Sequence, residues 1–253
     1  MRAARCCGGM DDPPRGGPVL GMDTAGRSGS VAIASSGSVE ALLLLVPDRT
    51  YAESLALGIL RVLKTRGLGP ADLAGVAVSC GPGSFTGLRI AIGTALGMVA
   101  ALEIPLVGVE TLWAWTRALG PRPEILCPAL DAGKGLLFCA FFHWEGNRLV
   151  RRSDDSVLSP EELCHRLEGP TVIWGDGAQH FRDVIERLGG GKARMISKPD
   201  WPAAAGEVAL VGEGRIRRGE ADPPAGFCVR YVREAEADVQ WRRRYLRTRS
   251  TGG

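Results

Sequence analysis

Histidine is scarce in this sequence: three residues among 253, at His143, His165 and His180. A metal site built on one helix face needs two histidines four residues apart, and these three are isolated, so each reads as a surface or hydrogen-bonded histidine rather than a ligand. The zinc-protease pattern His-Glu-x-x-His is absent, and so are the Walker spacing and the Rossmann glycine fingerprint. No run spans a membrane, since the most apolar stretch, Ile90 to Leu102, is too short and too rich in glycine. Cys-x-x-Cys does not occur, and the seven cysteines are an odd number. Cys80, Cys127 and Cys139 lie in apolar, strand-like runs and are expected to be small buried hydrophobes in a reducing compartment. The opening Met1 to Pro18 lacks the apolar core of a signal peptide. Its Gly/Pro/Arg character suggests disorder or an over-extended start, with the fold beginning near Val19. The protein is expected to be cytoplasmic. The net charge is only +3. Much of the basic excess sits in Arg242 to Arg249, within a tail over 234–253 that is expected to be solvated and flexible, or to make a weak nucleic-acid contact.

The rest of the chain is organised around Cys80-Gly81-Pro82-Gly83-Ser84-Phe85-Thr86-Gly87-Leu88-Arg89. Before it, Gly75 to Ser79 reads as a short buried strand. Gly81-Pro82-Gly83 breaks that strand, and Ser84 or Thr86 can cap the helix that follows. The turn is either a structural connection or, through its free N–H groups and the helix dipole, a place for a phosphate. Serine-protease chemistry at Ser84 would need a base and an orienting group, which nothing local supplies. The helix to Leu102 carries no charge after Arg89. Leu88, Ile92, Leu96 and Val99 form one stripe, and Gly87/Ala91/Ala95 and Gly93/Gly97/Ala101 form two ridges of small residues. With hardly a polar face, it must be buried on several sides, by its own domain or partly by a partner.

Taken in order, Val19–Ala25, Ser30–Ala34 and Val39–Val46 read as strands joined by glycine turns, an antiparallel meander. Ala52 to Lys64 reads as a helix with one apolar face of Leu55, Ile59, Val62 and Leu63 and a second of Leu57, Leu60 and Lys64. Strand Gly75–Ser79, the apolar helix and strand Leu106–Val109 follow. The order β-β-β-α-β-α-β is that of a ribonuclease-H-like mixed sheet. The second half repeats the theme loosely, with strands at Ile125–Leu130, Gly135–Phe142, Asn147–Arg151, Thr171–Trp174 and Ala193–Ile196. Helices are expected at Pro160–Leu167, Gln179–Leu188 and about Ala203–Arg218. The fold class is therefore α/β, with duplicated ribonuclease-H-like domains of the actin, hexokinase and Hsp70 class. The expected domains are 19–112 and 113–233, after an extension over 1–18, with the last helix, about 203–218, packing back on the first domain.

Several stretches resemble one family. Gly81 to Ile90, Met22-Asp23-Thr24, Leu106 to Val109, Asp131-Ala132 and the closing Tyr231-Val232-Arg233 are similar to the TsaB (YeaZ) family, across about Val19 to Arg233. Two details depart from its pattern. Tyr51-Ala52-Glu53 stands where the family often has His-Ser-Glu, and Gly133 stands where it often has Arg after Asp-Ala.

The resemblance implies a non-catalytic assembly subunit for making N6-threonylcarbamoyladenosine at position 37 of tRNAs that read codons beginning with A. Its implied partners are TsaD, the catalytic paralogue, and TsaE, an ATPase; homodimers are also implied, and tRNA is met only through the complex. The implied interface is a bundle of the first two helices, here Ala52–Lys64 and Ser84–Leu102. Its candidate residues are Glu53, Leu57, Leu60, Lys64, Ser84, Thr86, Leu88, Arg89, Ile92 and Leu96, with Leu57, Leu60, Leu88 and Ile92 as anchors. Arg89 is either a solvated charge or a hydrogen-bonding anchor. No catalytic residue, metal or cofactor of its own is expected, and ATP or ADP only at the partner interface. The alternative is an ATP-dependent small-molecule kinase of the same superfamily, which uses two Asp-x-Gly hairpins. Asp131-Ala132-Gly133 fits the second, whereas Asp23-Thr24-Ala25 lacks the glycine of the first, so Asp23, Thr24, Asp131 and Gly133 are read as a vestigial nucleotide site.

Overall fold

The computed structural model describes residues 16–45, 51–197, 201–230 and 232. The expected extension up to residue 15, Val46, the basic tail over 234–253, and Tyr231 and Arg233 of the closing motif lie outside the described residues. The described chain divides into two compact units. One takes the residues before 80, then 86–109 and 203–227; the other takes 80–85, 110–202 and the residues from 228 on.

The first unit is built on a five-stranded sheet of β1 (Val19–Asp23), β2 (Ser30–Ser35), β3 (Ser38–Leu44), β4 (Gly75–Ser79) and β5 (Leu106–Val109), in the order β3-β2-β1-β4-β5. β2 is antiparallel to β1 and β3, and β4 is parallel to β1 and β5. Helix α1 (Tyr51–Thr65) carries the chain from β3 to β4, and α2 (Phe85–Leu102) from β4 to β5. Parallel crossovers are right-handed, which lays α1 and α2 on one face of the sheet. Gly58 of α1 meets that face through Val31 and Leu45, and Leu20, Met22, Val31, Ile33, Val76 and Val78 fill it with fully buried side chains.

The opposite face is made of small residues, because side chains alternate across a strand. Val19, Gly21, Ala32, Ala34, Gly75 and Ala77 share it by register. Helix α7 (Ala205–Arg217) lies there with small residues of its own. A Cβ on Gly21 would stand 2.6 Å from the Ala209 nitrogen, with the Ala205 carbonyl closer still, and one on Gly212 would collide with Ala77. Two hydrogen bonds set the helix in place. Ser30 Oγ accepts from the Ala205 N–H at 3.1 Å. The buried Glu213 carboxylate accepts from Gly37 N–H at 3.0 Å in the β2–β3 turn. After α7 the chain returns along β5: Asp222 accepts from Gly108 N–H at 2.7 Å and pairs with Arg215 at 2.9 Å. That return occupies an edge which would otherwise expose unpaired backbone groups.

The second unit includes α3 (Thr111–Leu119), a helix across which the expected boundary between domains 19–112 and 113–233 falls. Its Leu112, Trp115 and Thr116 are buried at helical spacing, and Gly120, at φ 78°, ends it in the left-handed conformation that glycine adopts at little cost. The sheet has β6 (Ile125–Gly133) at its centre, with β7 (Leu136–Cys139) and β11 (Thr171–Trp174) beside it. β10 (Ser156–Leu158) and β12 (Ala193–Met195) lie outside them. A hairpin of β8 (Phe142–Glu145) and β9 (Arg148–Arg151) joins β6 through Leu126 and Phe142. The single strand expected over Gly135–Phe142 is thus broken at Ala140-Phe141, where the chain turns from β7 to β8. Helices α4 (Pro160–His165), α5 (Asp176–His180) and α6 (Arg182–Gly189) complete the unit. Its core includes Cys127, Cys139, Phe141, Leu163, Leu167, Ile173 and Ile185.

Gly21→Ala is expected to destabilise the protein by about 1–3 kcal/mol, the usual cost of overpacking where backbone is the obstacle. A urea titration checks this: the midpoint falls with an unchanged slope.

Candidate partner interface and the loop before it

The structure assigns α1 an outward stripe. Leu55, Gly58, Ile59, Val62 and Leu63 are buried. Glu53, Leu57, Leu60 and Lys64 all lie on the exposed side, spaced by three or four residues. Leu57 is 37% and Leu60 57% exposed, more than a core leucine keeps. On α2 the outward residues are Phe85, Thr86, Arg89, Gly93, Gly97 and Ala100. Phe85, at the first position of the helix, is 48% exposed.

Two of the four expected anchors need correcting. Leu88 and Ile92 are 1% and 5% exposed, since they belong to the face of α2 that includes Gly87, Ala91 and Ala95 and turns inward. Leu96 is half-buried on the flank. A helix wheel shows which residues share a stripe, but not which stripe faces the sheet. Phe85, outside the candidate set, is the large apolar side chain that α2 leaves exposed; it stands in the glycine-turn motif, where no periodicity marks it.

Glycine is the unusual feature of the outer face of α2. A Cβ on Gly93 or Gly97 would meet nothing within 4 Å. Glycine inside a helix costs about 1 kcal/mol relative to alanine, and among the described residues no neighbour requires it at either position. By contrast Gly87 is buried, and its carbonyl accepts from the Thr24 hydroxyl at 2.7 Å.

The loop that precedes α2 is held by residues of the second unit. Gly81 N–H donates to Thr111 Oγ1 at 3.0 Å, and Thr111 N–H donates back to the Gly81 carbonyl at 3.0 Å. Arg230 N–H donates to the Cys80 carbonyl at 2.7 Å. A Cβ on Gly81 would stand 2.6 Å from the Arg230 carbonyl, and the φ of Gly81 is 119°, so glycine is required twice over. The Gly81 N–H that a phosphate would use is spent on Thr111. Ser84 directly precedes the first helical residue, whereas Thr86 lies inside the first turn and so cannot be the N-cap. Behind the loop, the Glu110 carboxylate accepts from Arg230 and from Arg151, the latter at 2.7 Å, and Arg151 also pairs with Asp155 at 2.6 Å. Burial pushes the Glu110 carboxyl up, but the Arg230 hydrogen bond and the Arg151 charge outweigh it and hold the group below its ordinary 4.5.

The four residues read as a vestigial nucleotide site divide between the units. In the first, Asp23 closes β1, is buried, and accepts from the Ala25 N–H at 3.3 Å; Thr24 is spent on Gly87. In the second, Asp131 accepts from the Gly133 N–H at 2.8 Å within the β6–β7 turn, and its own N–H donates to Asp176 at 3.1 Å. Gly133, at φ 72°, serves the turn. Among the described residues no group of three or more His, Cys, Asp or Glu is placed to hold a metal ion. His143 pairs with Glu145 at 3.0 Å.

The two mixed sheets, with crossover helices on the first and a similar α/β plan in the second, define a duplicated ribonuclease-H-like protein of the actin and hexokinase class. Comparison with known proteins narrows this. The model of the family described as TsaD, tRNA N6-adenosine threonylcarbamoyltransferase, matches residues 46–176. The tRNA threonylcarbamoyladenosine biosynthesis protein TsaB of Escherichia coli is 33% identical over 180 residues, 68% of this chain and 76% of that protein. TsaB of Bacillus subtilis is 23% identical over 226 residues, 88% and 97% of the two chains. The structure of YeaZ from Pseudomonas aeruginosa superposes with a TM-score of 0.70 at 23% identity, covering 85% of this chain and all of that one. The chain belongs to the TsaB (YeaZ) family.

Two outcomes follow from this geometry. Leu60→Glu is expected to shift the stability of the isolated protein by no more than about 0.5 kcal/mol, whereas Leu88→Glu buries an unpaired charge and unfolds it or lowers its melting temperature sharply. Thermal melts of the two variants check this. The depressed Glu110 pKa stabilises the fold fully above the unfolded value near 4.5, and that contribution is lost as the pH falls through the lower folded value. The stability gap between wild type and Glu110→Gln is therefore expected to be constant from pH 7 to about 5 and to narrow as the pH falls below 4.5, measured by urea titrations across that range.

Proposed function

We propose that this protein is a non-catalytic subunit of the machinery that makes N6-threonylcarbamoyladenosine in tRNA, and that it works by holding a TsaD subunit through the outer faces of α1 and α2. The carrying observation is Gly93 and Gly97, two open glycines one turn apart on an exposed helix face. Among the described residues no contact calls for them, whereas at an interface they let another helix approach closely. Leu57, Leu60 and Phe85 flank that approach with apolar surface, and Arg89 adds a guanidinium, a group enriched at interfaces. The family to which the chain belongs supports the pathway, and the match to the TsaD family model supports a partner of related fold. On this reading TsaE is a further partner, tRNA is reached through the complex in the cytoplasm, and a second copy of the chain can occupy the same face. The protein then needs no cofactor of its own, and nucleotide enters only where it meets TsaD.

The test is size-exclusion chromatography with light scattering on the protein alone and mixed with the TsaD of its organism. A mixed complex is expected. Gly97→Leu fills open space and removes a helix glycine, so it is expected to leave the melting temperature unchanged or higher while weakening the complex by about tenfold or more. Leu60→Glu and Arg89→Glu are expected to weaken it with normal melting curves. Unchanged affinity in all three variants would overturn the proposed face. Absence of any complex, with ATP consumed by the chain alone in the presence of a small substrate, would favour the kinase alternative.

A further inference from the structure

A cavity of about 350 Å³ in the second unit has no part in the reading above. Its walls are Ile125 at the start of β6, Phe141 at the β7–β8 corner, Arg152 and Ser153 after β9, and His165, Arg166 and Glu168 around the end of α4. The backbone frames it firmly. Arg152 N–H donates to the Phe141 carbonyl at 2.8 Å, and the Phe141 N–H donates to Ser153 Oγ at 3.0 Å. Phe141 is buried in the same core as Leu163 and Leu167, which lie on either side of His165 and Arg166 in the chain. The wall is thus fixed by packing, and its exposed parts are charged.

The charges do not balance. Arg152 pairs with Glu168 at 2.8 Å. Arg166 is exposed and has no ion pair among the described residues. Two guanidiniums therefore face one carboxylate, with an imidazole beside them. Guanidiniums present forked donors that match phosphate oxygens. One surplus positive charge suits a single phosphate group better than a polyphosphate, which Glu168 would repel. The apolar floor of Ile125 and Phe141 offers nothing to a bare ion but accepts a ring or hydrocarbon. The volume lies at the lower end of the range for small-molecule sites.

We propose that this cavity binds a phosphate ester carried on an apolar or aromatic group, a nucleotide either free or within an RNA strand. The site does not depend on the assembly reading, since none of its residues belongs to α1 or α2. Binding to the full-length protein in low salt is measured by titration calorimetry with AMP, adenosine, inorganic phosphate and a short single-stranded RNA. AMP or the RNA is expected to bind, about tenfold or more tighter than adenosine or phosphate alone, and more weakly as salt is added. Which of the two binds identifies the source of the phosphate ester. Arg166→Glu and Arg152→Glu are each expected to weaken that binding by about tenfold with unchanged melting curves. The proposal is overturned if neither AMP nor RNA binds at millimolar concentration, if adenosine binds as well as AMP, or if both variants bind like the wild type.

Discussion

The first unit depends on how closely α7 can approach the sheet. Gly21, Ala32, Ala34, Gly75 and Ala77 leave the sheet face nearly bare, and Ala205, Ala209 and Gly212 leave the helix nearly bare. Backbone comes close to backbone at Gly21, while Ile216 of α7 fills the space over Gly75 and Val19 packs at Gly212. The approach brings Ser30 to the start of the helix and Glu213 to the β2–β3 turn. It also sets the exit of the helix, so that Asp222 can cover the edge of β5. The helix comes from residues beyond 200, so this unit is closed only after the second has been traversed.

With one face of the sheet sealed by α7, the larger side chains collect on the other, beneath α1 and α2. Their inner stripes are consumed in that packing. The outer stripes keep Leu57, Leu60 and Phe85, together with two glycines whose missing side chains would meet nothing among the described residues. Helix glycines in open space add no stability to a lone domain. Under the proposed assembly, that surface is half of a contact.

The conspicuous glycine loop has a more modest place. Its donor and acceptor groups are taken by Thr111 and Arg230, and the Glu110–Arg151–Asp155 ion pairs stand behind them. The glycines that would suggest a phosphate cradle are instead explained by close backbone approach. A cationic surplus lies elsewhere, at the cavity between Arg152 and Arg166. Neither arginine belongs to a recognisable motif, and they come together only through the turn after β9 and the end of α4.

Much of this was legible in one dimension. Alternation and glycine turns marked β1 to β3, periodicity marked α1 and α2, and the ten residues from Gly81 carried the family resemblance. The outer stripe of Leu57, Leu60 and Lys64 on α1 followed from spacing alone, because a regular helix puts such residues on one side whatever surrounds it; Glu53 joined it through the family resemblance. Local signals missed α3, because the boundary between the two domains was placed across its Leu112 and Trp115, and the break of one strand into β7 and β8, which no turn residue announces. They also chose the wrong stripe of α2: Leu88 and Ile92 are as apolar as any anchor, but burial depends on which neighbour an element meets. Periodicity is a property of the chain, and it settled the elements and their faces. Contact is a property of pairs of elements, so only folding could bury Ile92, expose Phe85, leave Gly97 open among the described residues, and bring Arg166 and Arg152 to one cavity with a single carboxylate.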